Sequence, residues 1–193
     1  MSSPSLPEFQ RKLSEALEHA QEALDDFVGV WLPTPEGWLE DNSFSEMSKE
    51  EVSVQRWLID AGDLSSTGQI FDRAWVGGLA PWAIGIAQLQ GKVLNLVDMP
   101  RFMGSQKSIQ LPAWATLLHE RFESPWALVW PHLFGMVPRQ DLKLLERKPH
   151  HPWIRRYWKD ADGLMWYELS VEQWLLSPVL SRLWDETGDK EKI

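Results

Sequence analysis

Five histidines are the first place to look for a metal ligand or a general base. Their spacing argues against both. His150 and His151 are neighbours in a proline-rich stretch, and adjacent residues on an extended chain point to opposite faces, where they cannot chelate one ion. His119-Glu120 is read as part of a helix with His132 a short way on, and no HExxH or comparable spacing occurs. The acid pairs Asp25-Asp26 and Glu50-Glu51 lie in polar stretches and read as solvated faces, while Asp160 and Asp162 suit turn chemistry. No GxSxG, Walker or GxGxxG motif is present, and no Ser has a neighbouring pattern that would activate it. The absence of Cys removes disulfides, thiol nucleophiles and thiolate-ligated metals. The expectation is therefore no catalytic residue, no metal and no cofactor.

The 13 Trp are the unusual feature. Trp31, Trp57, Trp126 and Trp166 lie inside strand-like runs and read as core. Trp38, Trp82 and Trp153 stand beside Pro or Gly and read as exposed anchors, a role in which Trp supplies much binding energy from few residues. A carbohydrate-binding module that stacks sugars on Trp is the rival reading.

The elements that would hold these residues are mainly β. An N-terminal helix is expected over residues 1–27, where Ser5 and Glu8 have capping-box spacing and Phe9, Leu13, Leu17, Ala20, Leu24 and Phe27 form one apolar stripe. A short strand over Phe27–Leu32 follows, stopped by Pro33 and Pro35. Val52 and Val54, then Trp57 and Ile59 on the other parity, suggest a bulged strand. The clearest signal is Ile84–Gln90, then Gly91, then Lys92–Asp98: two β-rich runs joined by a tight turn and closed by Pro100. Trp126–Trp130 and Leu164–Leu169 are further strands, with Asp162-Gly163 turning Tyr157-Trp158 into the second. Helical signals end the chain. Ser170 and Gln173 have capping-box spacing ahead of Trp174 and Leu175, and Ser177-Pro178 reads as a fresh helix start.

A net charge of −9 and a pI near 5 argue against nucleic acid, which rewards clustered Lys and Arg. No basic region followed by an apolar core opens the chain, so no signal peptide is expected. No apolar run approaches the length of a membrane helix, so no direct membrane insertion is expected and the location expected is cytoplasmic.

The stretch from Trp82 to Gly104, WAIGIAQLQGKVLNLVDMPRFMG, resembles the signature of the CheW family, with Gly85, Leu89, Gly91, Asp98 and Gly104 at the pattern's positions. Leu133-Phe-Gly-Met136 is similar to the segment after that family's central strand. Trp166–Ser170 and the following helix look like the ending of adaptors from twitching-motility systems. In the turn Gln88-Leu89-Gln90-Gly91 the family's Asn and Arg are both Gln, which lacks the fixed charge of Arg. The resemblance implies a mainly β (α+β) fold of two intertwined SH3-like five-stranded barrels, an N-terminal helix and a C-terminal helix. Domain bounds are then 1–27 for the N-terminal helix, 28–185 for the two-subdomain body and 186–193 for a charged tail. It also implies a non-catalytic adaptor that binds a histidine kinase regulatory domain and a chemoreceptor tip. Gln88, Gln90, Gly91, Lys92, Asp98 and Arg101 are the partner-binding residues so implied. A degenerate barrel with another protein partner and the Trp-rich carbohydrate module stand as alternatives.

Overall fold

The computed structural model describes residues 26–33, 54–77 and 80–180. Apart from Asp26 and Phe27, the expected N-terminal helix lies outside these residues, as do Trp38 and the charged tail. Two sheets account for the strands. The first contains β1 (Phe27–Pro33), β2 (Val54–Asp60), β8 (His132–Val137), β9 (Lys143–Leu145), β10 (Ile154–Lys159) and β11 (Met165–Leu169), in the order β8-β1-β2-β11-β10-β9. The second contains β3 (Leu64–Ile70), β4 (Ala83–Leu89), β5 (Lys92–Asp98), β6 (Ala113–Leu118) and β7 (Trp126–Trp130), in the order β3-β6-β7-β5-β4. All strands of the second sheet fall between β2 and β8 in sequence, so one unit is nested inside the other.

Among the described residues the first sheet has six strands rather than the expected five, and neither sheet is a closed barrel. Closure needs a ladder between the two edge strands. In the second sheet the segment that follows β3 meets the other edge strand, β4, at an isolated bridge, Ala74–Ile86, made by two backbone hydrogen bonds of 2.9 and 3.0 Å. Gly85 permits this approach: with φ at +124°, a Cβ there would stand 2.3 Å from the Ala74 carbonyl oxygen. In the first sheet no ladder joins β8 to the three-residue β9 among the described residues.

β1, β2, β7 and β11 bury both faces, which is why their sequences read apolar without clean alternation. Val28, Val30 and Leu32 of β1, Trp57 and Ile59 of β2, and Tyr167 and Leu169 of β11 face a shared central core. Trp126, Leu128 and Trp130 of β7 enter the same core from the second sheet. The opposite parity fills two separate clusters. Phe27, Leu58, Val137, Trp158 and Trp166 form the one within the first sheet. Ile84, Leu94, Leu96, Ala115, Leu117, Ala127 and Val129 belong to the one within the second. A fully buried indole removes about 200 Å² from water, worth about 5 kcal/mol, so the Trp residues dominate the joint between the sheets.

Several expectations change here. Trp57, Trp126 and Trp166 are core, while Trp31 is half-buried and stacks on His132 at 3.8 Å. Trp82 is buried rather than an exposed anchor, because helix α1 (Met99–Phe102) lays Phe102 edge-on against it at 5.4 Å. Trp153 is half-buried, with Phe102 on one side and His151 stacked 4.5 Å away. The bulge expected in β2 is absent: its register with β1 runs unbroken from Val54 to Asp60. In place of the helix expected at His119-Glu120, His119 follows the end of β6 and caps a 3-10 turn over Glu120–Phe122, its Nδ1 accepting from Arg121 N. Near the end, Ser170 Oγ accepts from Gln173 N at 3.4 Å and starts helix α2 (Val171–Leu175).

Candidate interaction surface

The β4–β5 hairpin is the element on which the sequence motif falls, and its turn is set by two residues. Gln90 (φ +50°) and Gly91 (φ +78°) both take left-handed conformations, the pattern of a two-residue type I′ turn that matches the twist of the strands. Gln88, Gln90, Gly91 and Lys92 are all exposed at this tip. Lys92 Nζ reaches across to Glu120 Oε1 at 2.7 Å, tying the tip to the β6–β7 connection. That hydrogen bond, with the ammonium charge behind it, holds the Glu120 carboxyl below the usual carboxylate range.

Asp98 and Arg101 lie elsewhere. β5 has seven residues, so the turn and Asp98 stand about 20 Å apart. Asp98 is fully buried. Its Oδ1 caps α1 by accepting from Arg101 N at 3.1 Å, and its Oδ2 accepts from Ser108 Oγ at 2.9 Å and Ile109 N at 2.8 Å. It therefore shapes the loop over residues 99–109 from beneath and presents no carboxylate to solvent. Arg101 is half-exposed on that loop and donates Nη1 to the Pro81 carbonyl at 3.1 Å. A depression of about 290 Å³ opens beside it, lined by Pro81, Arg101, Gly104, Ser105 and Gln106. The six motif residues thus divide between the two ends of one strand.

An exposed apolar surface lies on the outer side of the same hairpin. Phe71 is 72% exposed, Trp75 73% and Val93 67%, a concentration of apolar surface unusual for groups of this size. Val93 pairs directly with Gln88 across the hairpin, so both leave the same outer face. A shallow groove of about 280 Å³ runs there between the hairpin and the Asp72–Ala74 segment, with Ile86 and Ala87 in its floor. The available signal was an aromatic pair four residues apart in a polar, Gly-flanked segment, FDRAWVGG.

The other candidate groups have structural partners. Glu168 is 1% exposed and accepts from Trp158 Nε1 at 2.7 Å and Arg155 Nη1 at 3.4 Å. Asp160 Oδ2 accepts from Trp166 Nε1 at 2.8 Å. Asp63, in the turn that leads from β2 into β3, is buried and contacts the Arg121 guanidinium. Burial first, then the negative charge of Asp60, pushes its carboxyl up despite Arg121 and Arg155. His150 and His151 do not point apart as an extended chain would have them. The chain turns there, their rings stand 5.2 Å from each other, and burial pushes the His151 imidazole down. His150 Nδ1 contacts the Tyr157 hydroxyl. No group of three or more His, Asp or Glu that could hold a metal occurs among the described residues, and no helix among them is long and apolar enough to cross a membrane.

No family model matches this sequence, and no curated protein matches it. Its structure is similar to the crystal structure of the scaffolding protein TtCheW from Thermoanaerobacter tengcongensis. The TM-score is 0.53 at 10% identity, over 76% of this chain and 89% of that one. At that identity the likeness is one of fold.

Proposed function

We propose that this chain is a non-catalytic scaffold of the CheW kind that holds a chemoreceptor tip and the regulatory domain of a histidine kinase together. The pathway would be chemotaxis or, following the twitching-motility resemblance of its C-terminal part, pilus motility. The observation that carries the reading is the nested two-sheet fold, which spans 89% of the CheW scaffold it matches. The surface chemistry supports it. Phe71, Trp75 and Val93 provide exposed aromatic and aliphatic anchors beside the hairpin that bears the motif, and such anchors dominate protein interfaces. Lys92 and Arg101 frame that face from its two ends. Trp75 stands without a second broadly exposed Trp among the described residues, which favours a protein partner over a row of stacked sugars.

Calorimetric titration with the regulatory domain of a histidine kinase from the same genome tests the proposal. Saturable binding is expected, weakened about thirtyfold by Trp75→Ala, an anchor loss of about 2 kcal/mol. Lys92→Glu with Arg101→Glu should weaken it further. Absence of binding by folded protein, or unchanged affinity in these variants, would reject the kinase as partner or this face as its site.

A further inference from the structure

Charge is unevenly distributed in this acidic chain. Between Lys143 and Lys159 stand six Lys or Arg and one acidic residue, a net +5 in a chain of −9, so the remainder carries −14. The structure folds this segment into the β9–β10 edge of the first sheet. Lys143 and Lys159 are directly opposite each other on the ladder, and both are exposed. Like charges facing across a strand pair repel and weaken it. Neither Lys makes an ion pair among the described residues, nor do the exposed Lys148 and Arg156. The carboxylate next to Lys159 in sequence, Asp160, has both oxygens engaged, by Leu164 N at 2.8 Å and Trp166 Nε1 at 2.8 Å.

We propose that this basic edge, centred on Lys143 and Lys159, is a docking surface for an acidic protein segment. Two features select a polypeptide from among polyanions. β9 is an edge strand, so its outer backbone groups can pair with another chain, which neither lipid nor nucleic acid can do. Leu144 stands 47% exposed on the opposite face of β9 from Lys143, so an added strand that alternates acidic and aliphatic residues meets a lysine on one face and an apolar contact on the other. The surplus negative charge elsewhere on the molecule opposes an extended anionic surface but leaves a short segment free to approach the edge. The inference is independent of the scaffold reading, since the basic edge is on the first sheet and the hairpin anchors are on the second.

The probe is a fluorescent peptide of alternating Glu and Leu, titrated into the full chain and followed by anisotropy at low and at physiological salt. Binding that weakens with salt, and that falls on the order of tenfold or more in Lys143→Glu/Lys159→Glu, is the expected result. The neutral pair Lys143→Gln/Lys159→Gln should lose less affinity, and Lys159→Glu alone should raise the melting temperature by removing the like-charge pair. No binding, or affinity indifferent to the double reversal, overturns the proposal. So does equal or tighter binding of anionic vesicles or duplex DNA at the same residues, or self-association through this edge, which would make a second copy the occupant.

Discussion

The two sheets fill their interiors with different chemistry. The cluster within the second sheet is aliphatic throughout its buried members, from Ile70 to Val129. The cluster within the first is built on Phe27, Trp158 and Trp166, with Arg139 over the Phe27 ring at 4.6 Å and Glu168 sunk beside it. An aliphatic interior has no polar atoms to satisfy. An indole brings an N–H that favours a nearby acceptor when buried, and in this cluster carboxylates supply it: Glu168 serves Trp158 and Asp160 serves Trp166. The buried Glu168 and the half-buried Asp160 of the first sheet are therefore accounted for by the tryptophans they serve.

If this contrast is correct, Glu168→Ala should be the most damaging of four substitutions. It leaves Trp158 Nε1 and Arg155 unpaired and should cost about 4 kcal/mol in denaturant unfolding. A loss below about 1 kcal/mol would mean that water replaces the carboxylate and that the acid is dispensable. Leu96→Ala in the second sheet probes simple cavity formation, with an expected loss of about 3 kcal/mol that does not vary with pH.

The same contrast explains what was legible in the sequence. The β4–β5 hairpin could be read because its apolar runs are broken by a turn of fixed chemistry. Trp126–Trp130 could be read because a short continuous apolar run bounded by polar residues suits a fully buried strand. β3, with the sequence LSSTGQI, has too few apolar residues to announce a strand and is held by its ladder with β6. β8, with the sequence HLFGMV, alternates in burial but not in residue type, so its strand character shows only in its ladder with β1. The anchor surface was missed for a related reason. Phe71 and Trp75 are separated from the hairpin in sequence, and only the Ala74–Ile86 bridge brings their segment alongside Val93. Asp98 was placed on the surface by its motif, whereas its three hydrogen bonds to a later loop depend on tertiary structure.

Smaller effects sharpen the comparison. Trp158→Phe keeps an aromatic ring but gives up the second ring of the indole and removes one donor to Glu168, with an expected cost of about 2 kcal/mol. Calorimetric melting would show it, and a silent substitution would mean that Arg155 alone suffices. The smallest change at neutral pH is expected from Asp63→Asn. Asp63 has its folded pKa raised above the unfolded value, so the native state holds the proton more tightly. Its contribution to stability is therefore fully present below the unfolded pKa and is lost as pH rises through the raised folded one. The Asn variant should match or exceed the parent at neutral pH and lose this component of the acid dependence. A large destabilisation at neutral pH would show instead that the Arg121 contact outweighs burial.

A scaffold must hold two partners at once, and sedimentation velocity of the full chain with a kinase regulatory domain and a receptor-tip fragment tests that directly. The account predicts one species containing all three components, reduced to the receptor pair when Trp75 is replaced by Ala. Mutually exclusive binding of the two partners, or no complex with either, would contradict it.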